Sequence, residues 1–364
     1  MGKTIKAAVI PEPHAAVELR DLPEPELEPD SALLEVSLSE VCGTDAHLRE
    51  GRLAGVPYPL IPGHVSVGRL SKIRGRLSDV EGRPFKGDSV TFLDVHKTCN
   101  ACWYCLVAKA TTRCPRRKVY GITYGLADGL CGGWAQAVYL KPGTKLIRLD
   151  EAAFARFMAG GCSLPTALHA IERADVVIGN TVLVLGSGPV GLSSVVFAFM
   201  RGALRVLCIG APENRLSVAR ELGAATLNIE THSEQARYQW VLEQTNGRGA
   251  DVTIEATGAP VAVTQAMRYT RDAGRVVIVG QYTDHGETSL NPHLDLNKKH
   301  LDVRGCWGSD FSHFYRGAQI MSDPARSQPW SLIQLERYPL DRATEALQAV
   351  AAGKVVKALI DPQA

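Results

Sequence analysis

This sequence has no long apolar run, little net charge and few aromatic residues. No segment reaches the roughly 18 uncharged apolar residues that span a bilayer, and the N-terminal stretch at Met1–Lys6 shows no apolar signal-peptide region. The formal net charge is only +2, and aromatic residues, 6% of the chain, form no stripe with basic ones. These absences argue against membrane insertion, secretion and nucleic-acid binding. The sequence therefore predicts a soluble cytoplasmic protein.

Repeats and low-complexity segments are also absent, but apolar residues and cysteines are well represented. With 45% hydrophobic residues in 364, the chain can bury substantial cores and is long enough for two domains. Its nine cysteines are an odd number. In a reducing cytosol they are better explained as metal ligands and buried thiols than as a disulfide framework.

The hydrophobic pattern changes near Pro165. Before it, β-like runs such as Leu33–Ser37 and Ser89–Leu93 are broken by Gly and Pro, which is typical of a small β domain. After it, apolar runs alternate with helical stretches, which predicts a parallel, doubly wound sheet of the α/β class. The expected strands are 181–185, 205–209, 225–229, 251–256 and 275–280, and the expected helices are 213–222, 233–246 and 260–271. The alternation ends near Cys306, before a helix at 341–352 and an apolar run at 355–360.

A glycine-rich segment joins the strand at 181–185 to a helical run at 192–200. A bare G-x-G-x-x-G pattern also occurs in plain turns, but its place between strand and helix favours dinucleotide binding. The first glycine permits a tight turn, the second lets the backbone approach a pyrophosphate, and the third allows close helix packing. The candidate cofactor-binding residues are Gly186, Ser187, Gly188, Pro189, Val190 and Gly191.

The choice between NAD and NADP depends on the end of the second strand. An acid is expected there to bind the adenosine ribose, but this chain has Gly210. Without that carboxylate a 2′-phosphate is not repelled, and Arg215 could approach one. Glu213 could still take the ribose hydroxyls, and Arg215 could simply cap the following helix. Both cofactors therefore stay open.

Four cysteines lie close together between residues 99 and 114. Their spacing, Cys99-x2-Cys102-x2-Cys105-x8-Cys114, lets one loop surround a metal ion with four sulfurs. An iron–sulfur cluster uses the same ligands, but the Pro-coupled ferredoxin spacing is absent, so zinc is favoured. Unligated thiols would be open to oxidation. A site with four protein ligands has no open position and a structural role.

A second ligand set is dispersed along the chain. Cys42 begins Cys42-Gly-Thr-Asp-Ala-His47, His64 ends Pro62-Gly-His64, and Cys162 follows Gly161. Taken singly, a buried cysteine or histidine is more often a packing residue than a ligand.

These motifs together resemble the zinc-dependent alcohol dehydrogenases of the medium-chain dehydrogenase/reductase (MDR) superfamily, in order over essentially the whole chain. The resemblance implies a GroES-like, β-rich catalytic domain at 1–163, completed by 306–364, and a Rossmann NAD(P)-binding domain at 164–305, with the active site between them. It also implies two zinc ions per chain. Those ligand sets would be Cys42, His64 and Cys162 for the catalytic ion and Cys99, Cys102, Cys105 and Cys114 for the structural ion.

The same resemblance implies catalytic roles near the first ligand. Thr44 would take the proton of the alcohol, and His47 would pass it through the cofactor ribose towards solvent. A solvated loop histidine is the alternative for His47. Asp45 would orient the imidazole of His64.

Three features depart from the family pattern. The zinc histidine is most often followed by Glu, but here by Val65, so the acid behind the metal is missing and ligand exchange at zinc could differ. Lys357 stands where many relatives have an Arg near the pyrophosphate, and it supplies charge without a planar fork. The last cysteine gap has eight residues instead of the usual seven.

The substrate is less constrained. Trp134 resembles a position that lines the substrate pocket, and Cys306 and Trp307 are candidates for its far wall, although each could equally be core packing. Cys162 replaces the Glu that many polyol dehydrogenases use as third ligand, which favours simple or cyclic secondary alcohols. We therefore expect an NAD(P)-dependent dehydrogenase of an apolar secondary alcohol or ketone.

Other functions and the assembly state stay open. The alternatives are an NADPH-dependent aldehyde or ketone reductase, a polyol or amino-alcohol dehydrogenase, and a non-catalytic nucleotide-binding relative. Relatives pair their Rossmann sheets into dimers or tetramers, so a homodimer or homotetramer is expected through the strand near Val303.

Overall fold

The computed structural model describes residues 3–364 and divides the chain into two compact units. The first unit consists of Met1–Cys162, Asp310–Ser327 and Ile333–Ala364, and the second of Ser163–Ser309 and Gln328–Leu332. The sequence predicts boundaries at 163/164 and 305/306, with residues 328–332 in the first domain. That segment belongs instead to the second unit, because the fully buried Trp330 packs edge-on against Phe197 and donates its indole N–H to Ser193 Oγ at 3.2 Å.

The first unit is built mainly of β-strands, numbered here along the whole chain. They are β1 (Thr4–Val9), β2 (Glu18–Pro23), β3 (Ser31–Val41), β4 (Ser66–Arg74), β5 (Ser89–Phe92), β6 (Val95–Lys97), β7 (Lys118–Val119), β8 (Ala137–Leu140), β9 (Leu146–Arg148), β16 (Leu335–Pro339) and β17 (Lys357–Asp361). The main sheet has the order β16-β17-β3-β4-β5-β9, with β8 also paired to β3. The last apolar run of the chain thus becomes the neighbour of β3.

Strand β3 lies between two hydrophobic clusters. Leu34 and Val36 belong to a cluster with Phe92, whereas Leu33 and Val41 belong to a different cluster. Successive side chains of a strand point to opposite faces, so an apolar run such as this one can supply both clusters. Strand β3 is consequently packed on both faces, and this packing holds the residues at its end in place.

The first unit also contains helices, which lie between its strands along the chain. They are α1 (Gly43–Arg49), α2 (Trp103–Leu106), α3 (Glu151–Gly160), α9 (Phe311–Ser322), α10 (Pro324–Ser327) and α11 (Ala343–Ala351). Helix α1 begins directly after β3 with Cys42 as its N-cap. The Cys42 sulfur accepts the Thr44 N–H at 3.3 Å, and the Asp45 carboxylate accepts the Cys42 N–H at 2.8 Å. This reciprocal cap sets the direction in which the Cys42 side chain points.

The second unit contains a six-stranded parallel sheet. Its strands are β10 (Thr181–Leu185), β11 (Arg205–Gly210), β12 (Ala225–Asn228), β13 (Ala250–Glu255), β14 (Thr270–Ile278) and β15 (Asp302–Gly305), and its helices are α4 (Ser163–Ala174), α5 (Pro189–Met200), α6 (Glu213–Glu221), α7 (Glu234–Gln244) and α8 (Pro260–Tyr269). The order β12-β11-β10-β13-β14-β15 is that of a doubly wound dinucleotide-binding fold. The predicted fold class is thus confirmed.

The sheet is recognisable from the sequence because its central strands are buried on both faces. Val182–Leu185 and Val206–Ile209 are almost wholly inaccessible and consist almost entirely of aliphatic residues. The one large difference in bounds is at β14, which begins at Thr270 directly after α8, whereas the sequence predicted a strand from residue 275. Within residues 3–364, no helix combines the length and the apolar character needed to cross a bilayer.

Candidate active site and metal centres

Three side chains from separate parts of the first unit converge at the end of β3. One ligand atom each from Cys42, His64 and Cys162 lies within 4.8 Å of the other two, and Cys42 Sγ is 3.8 Å from His64 Nε2. Cys42 and His64 are buried, whereas Cys162 is half-buried. Two sulfurs and one imidazole nitrogen are the donor set of a zinc site with three protein ligands and an open fourth position. The residues present therefore fit a catalytic zinc ion.

Two glycines beside the ligands allow this convergence. Gly63 precedes His64 and has a φ of +86°, and a Cβ there would lie 2.4 Å from the ring of Trp134. Gly161 precedes Cys162 and ends α3 with a φ of +51°, and a Cβ there would lie 2.3 Å from a carboxylate oxygen of Glu40. Both positions need glycine for conformation and for space.

The electrostatics of this cluster also suit a cation. A hydrogen bond from the Cys162 thiol, together with His64, holds the pKa of Cys42 well below its usual range in spite of burial. Burial disfavours the charged imidazole, but Cys42 outweighs it and raises the pKa of His64 to about 10. Cys42 is therefore disposed to be a thiolate, which is the form that binds zinc.

The proton-relay candidates lie on α1 beside the first ligand. Thr44 donates its backbone N–H to Cys42 Sγ, and its side chain is half-buried. His47 is also half-buried and follows three residues later, so both lie on one face of the helix. Their roles in proton transfer stay predictions.

The four-cysteine segment forms a separate lobe of the first unit. One sulfur each from Cys99, Cys102, Cys105 and Cys114 lies within 4.8 Å of the other three. The Cys99 N–H donates to Cys114 Sγ at 3.3 Å, and the Ala101 N–H, donating to the Cys99 sulfur, lowers the pKa of that thiol to about 6. Four converging sulfurs fit a closed structural zinc site.

The long last gap of this lobe is taken up by local turns. Helix α2 gives the segment its first turn after Cys102, and Lys109 then adopts a left-handed conformation with a φ of +52°. A 3₁₀ turn at Thr111–Arg113 leads to Cys114. The additional residue is therefore accommodated without separating the four sulfurs.

The glycine-rich loop of the second unit lies between β10 and α5. Gly186 has a φ of +109°, and a Cβ on Gly191 would lie 1.9 Å from the Gly186 carbonyl oxygen. A Cβ on Gly188, by contrast, would meet no atom within 4 Å. Gly188 is also the N-cap of α5 and is followed by Pro189 at the first helical position. An open backbone at a helix N-terminus fits the pyrophosphate of a dinucleotide.

The ends of this loop are tied to its surroundings. Ser187 is buried and donates its hydroxyl to the Ala211 carbonyl at 2.9 Å, and the Val190 carbonyl accepts the Ser194 hydroxyl at 2.8 Å. A Cβ on Gly210 would lie 2.6 Å from Ser187 Oγ. Gly210 therefore stands where an acid is expected, and the loop leaves little room for a side chain at this position.

Known proteins are similar to this chain over almost its whole length. Two family models cover it in part, an alcohol dehydrogenase GroES-like domain over residues 28–151 and a zinc-binding dehydrogenase domain over residues 189–323. The 5-exo-hydroxycamphor dehydrogenase of Pseudomonas putida is 31% identical over 360 residues, which are 98% of each chain. This chain belongs to the zinc-dependent alcohol dehydrogenases of the MDR superfamily. It is thus an oxidoreductase that acts on CH–OH groups, with zinc and NAD(P) as cofactors.

Solved structures of alcohol dehydrogenases have the same fold. An alcohol dehydrogenase from Thermotoga maritima superposes with a TM-score of 0.92 at 32% identity, covering 99% of this chain and 100% of that one. A zinc-binding dehydrogenase from Sinorhizobium meliloti, solved with NADP bound, has a TM-score of 0.83 at 25% identity and covers 99% and 100%.

In this alcohol dehydrogenase, Asp45 does not bond to the zinc histidine as expected. Its fully buried carboxylate accepts the N–H of Cys42 at 2.8 Å and the N–H of Gly63 at 3.2 Å. His64 Nδ1 is buried and has no hydrogen-bond partner among residues 3–364. Asp45 thus contacts Cys42 through its own peptide N–H and the His64 segment through the N–H of the preceding residue, because α1 turns the carboxylate towards these groups.

Lys357, the candidate for the pyrophosphate, is held by a carboxylate of the first unit. It begins β17 and is only 1% exposed, and its ammonium forms an ion pair with Glu40 and donates to the Gly160 carbonyl at 3.3 Å. Burial alone would lower its pKa, but Glu40 outweighs burial and the pKa of Lys357 is raised. Because β17 pairs with β3, this side chain is directed into the first unit, and its role near the pyrophosphate stays a prediction. Sequence reasoning missed Glu40.

The substrate-pocket candidates lie in different environments. Trp134 is fully buried, and its indole N–H donates to the Glu40 carbonyl at 2.9 Å, so it is a core residue and does not line a pocket. Cys306 is buried in the second unit, which raises its pKa to about 12. Trp307 stacks on Tyr282 at 5.7 Å and donates to its carbonyl at 3.1 Å. A role for Cys306 and Trp307 in substrate binding stays a prediction.

The residues near the adenosine ribose position show a pairing that the sequence did not reveal. The Glu213 carboxylate forms an ion pair with Arg220 and accepts from Asn228 at 3.0 Å, and Arg220 lowers the pKa of Glu213. Both of its oxygens are therefore engaged. Arg215, on the same helix, is half-buried.

Proposed function

We propose that this alcohol dehydrogenase oxidises an apolar, preferably cyclic, secondary alcohol to the ketone. The observation that carries the substrate class is the match to a 5-exo-hydroxycamphor dehydrogenase over 98% of both chains, since hydroxycamphor is a cyclic alcohol. A second support is the identity of the third zinc ligand, Cys162, which polyol dehydrogenases often replace with Glu. The same groups serve the reverse reaction, reduction of the ketone.

The cofactors would act on the alcohol and its hydride, and residues of α1 would transfer the proton. When bound, zinc lowers the pKa of the alcohol and NAD(P) accepts the hydride. We propose that the Thr44 hydroxyl receives the alcohol proton and that His47, on the same face of the helix, passes it towards solvent. Because the Cys42 sulfur accepts the Thr44 N–H at the start of α1, the Thr44 hydroxyl, which is the proposed proton acceptor, stays close to this metal ligand.

We further propose NADP as the preferred nucleotide. Gly210 carries no acid against a 2′-phosphate, the Glu213 carboxylate is bound to Arg220 and Asn228, and the same helix carries the positively charged Arg215. The dehydrogenase from Sinorhizobium meliloti was solved with NADP, which supports the same choice.

For the assembly we propose a homodimer, or a tetramer built from dimers. Strand β15 is the edge of the parallel sheet within the second unit, and an edge strand can pair with that of a second copy. The cysteine lobe exposes a group of apolar side chains suited to a second contact, namely Trp103, Tyr104, Leu106 and Val107. The zinc-binding thiolates favour a reducing compartment, so we place the enzyme in the cytoplasm.

A substrate panel tests the proposed function. Cyclic secondary alcohols, linear secondary alcohols, polyols and amino alcohols would each be assayed with NAD⁺ and NADP⁺, and zinc would be counted in the same preparation. We expect two zinc ions per chain and the highest kcat/KM for a cyclic alcohol. A preference for polyols would contradict the substrate class, and one zinc with no turnover would favour a non-catalytic relative.

A further inference from the structure

A buried carboxylate lies directly beside the third metal ligand. Glu40, near the end of β3, is only 1% exposed. Its Oε2 accepts the Cys162 N–H at 2.6 Å, and its Oε1 lies 3.3 Å from Cys162 Sγ. One side chain thus accepts the backbone N–H of a ligand and lies directly beside the sulfur of the same residue. Glu40 lies outside the metal-ligand and glycine-rich motifs of the sequence.

The position of Glu40 is related to the missing acid after the zinc histidine. The Glu40 N–H in β3 donates at 2.9 Å to the carbonyl of Val65, which directly precedes the paired strand β4, so the two residues are neighbours. Val65 is itself buried and apolar. Position 65 has no acid, but Glu40 on the neighbouring strand supplies a carboxylate close to it. This carboxylate faces Cys162, a ligand of the same metal centre.

The surroundings fix Glu40 in this position. Its carbonyl accepts the Trp134 indole N–H at 2.9 Å, and Gly161 leaves room for the carboxylate because it has no Cβ. The Lys357 ammonium pairs with Oε1 at the same place. Two thiolates, a neutral imidazole and Zn²⁺ sum to zero charge, and the Glu40–Lys357 pair adds none. The lysine thus allows an acid next to the sulfur without an uncompensated buried charge.

We propose that Glu40, neutralised by Lys357, is the positioning residue of the catalytic metal centre and takes the place of the acid that position 65 lacks. It orients Cys162 through the peptide N–H, while Lys357 offsets the charge of the carboxylate beside the sulfur, and in this way it controls how tightly the centre retains its metal. Residues that orient metal ligands typically change metal affinity by about 10- to 100-fold when they are replaced. The inference rests on the proposed catalytic zinc site.

The test measures metal retention separately from activity. Because E40Q alone leaves Lys357 buried without its partner, the main variant is E40Q/K357M, which removes both charges together. The matched control is E35Q, the same change at an exposed position of the same strand. Each protein would be loaded with zinc, and metal release to a chromophoric chelator would be followed over time. The zinc of the four-cysteine lobe serves as an internal standard.

We expect E40Q/K357M to release one of its two zinc ions about 10- to 100-fold faster than wild type, with the other unchanged and with a native circular dichroism spectrum. In cobalt-substituted protein the thiolate-to-metal absorption bands of the same variant should shift, whereas those of E35Q should not. A folded double variant with unchanged release and unchanged cobalt bands would overturn the inference alone. A wild-type chain that binds only one zinc would overturn the catalytic metal assignment and the inference with it.

Discussion

The four cysteines of the lobe come from one segment, residues 99–114, whereas Cys42, His64 and Cys162 are brought together from three distant parts of the chain. Helix α2 and a 3₁₀ turn suffice to close the first set. The second set requires the pairing of β3 with β4, the cap at α1 and a left-handed glycine at the end of α3. The dispersed site therefore depends on pairing between distant segments, whereas the lobe is closed by local turns.

The largest effect that separates the two sites is expected for Cys162→Ala. Removal of one of three ligands should abolish turnover and release one zinc, while the lobe keeps the other and the fold is retained. Zinc content, circular dichroism and kcat/KM would be measured together. Cys131→Ala is the matched control, because Cys131 is a buried thiol of the same unit outside both clusters. Turnover retained by Cys162→Ala would contradict the catalytic assignment.

A ligand change in the lobe should produce the opposite pattern. Cys105→Ser is expected to release the structural zinc and lower the melting temperature by several degrees, because binding of a structural metal contributes to the free energy of folding. The kcat/KM of the protein that stays folded should change much less than in Cys162→Ala. Thr112→Ala in the same loop is the control, measured by thermal unfolding and metal analysis. Complete loss of activity in a folded, zinc-depleted lobe variant would show that the lobe is more than structural.

The contrast also explains which features could be predicted from the sequence. The four cysteines, the glycine-rich loop and the alternating strands are local patterns, and the fold class, family and cofactor classes were confirmed. The core position of Trp134, the partner of Lys357 and the presence of Glu40 at the metal centre could not be predicted, because these depend on strand pairing between distant segments. Lys357 and Glu40 are separated by 317 positions yet form a buried ion pair. No spacing rule within a motif could reveal such a pair.

A smaller effect is expected for the proposed proton acceptor. Thr44→Val removes the hydroxyl but keeps the shape of the side chain, and kcat should fall by about 10²- to 10⁴-fold, the usual range for loss of a general acid–base group. Both zinc ions should remain, because all seven ligands are unchanged and the backbone N–H of residue 44 still donates to Cys42 Sγ. Thr44→Ser, which keeps a hydroxyl, should retain most activity. Equal activity in the Val and Ser variants would contradict the proton relay.

The smallest effect concerns the nucleotide, whose binding residues come from a local segment of the second unit. Arg215→Ala should reduce the ratio of kcat/KM for NADP⁺ to that for NAD⁺ by about tenfold, since a hydrogen bond between charged groups contributes about 1.5–3 kcal/mol. Arg220→Ala is the informative companion, because it frees the Glu213 carboxylate, which should then repel a 2′-phosphate and accept ribose hydroxyls. Both variants should therefore shift the enzyme towards NAD⁺, the first by loss of attraction and the second by gain of repulsion. If neither changes the ratio, the segment 210–220 does not determine nucleotide choice, and the local pattern that identified this site would not extend to its specificity.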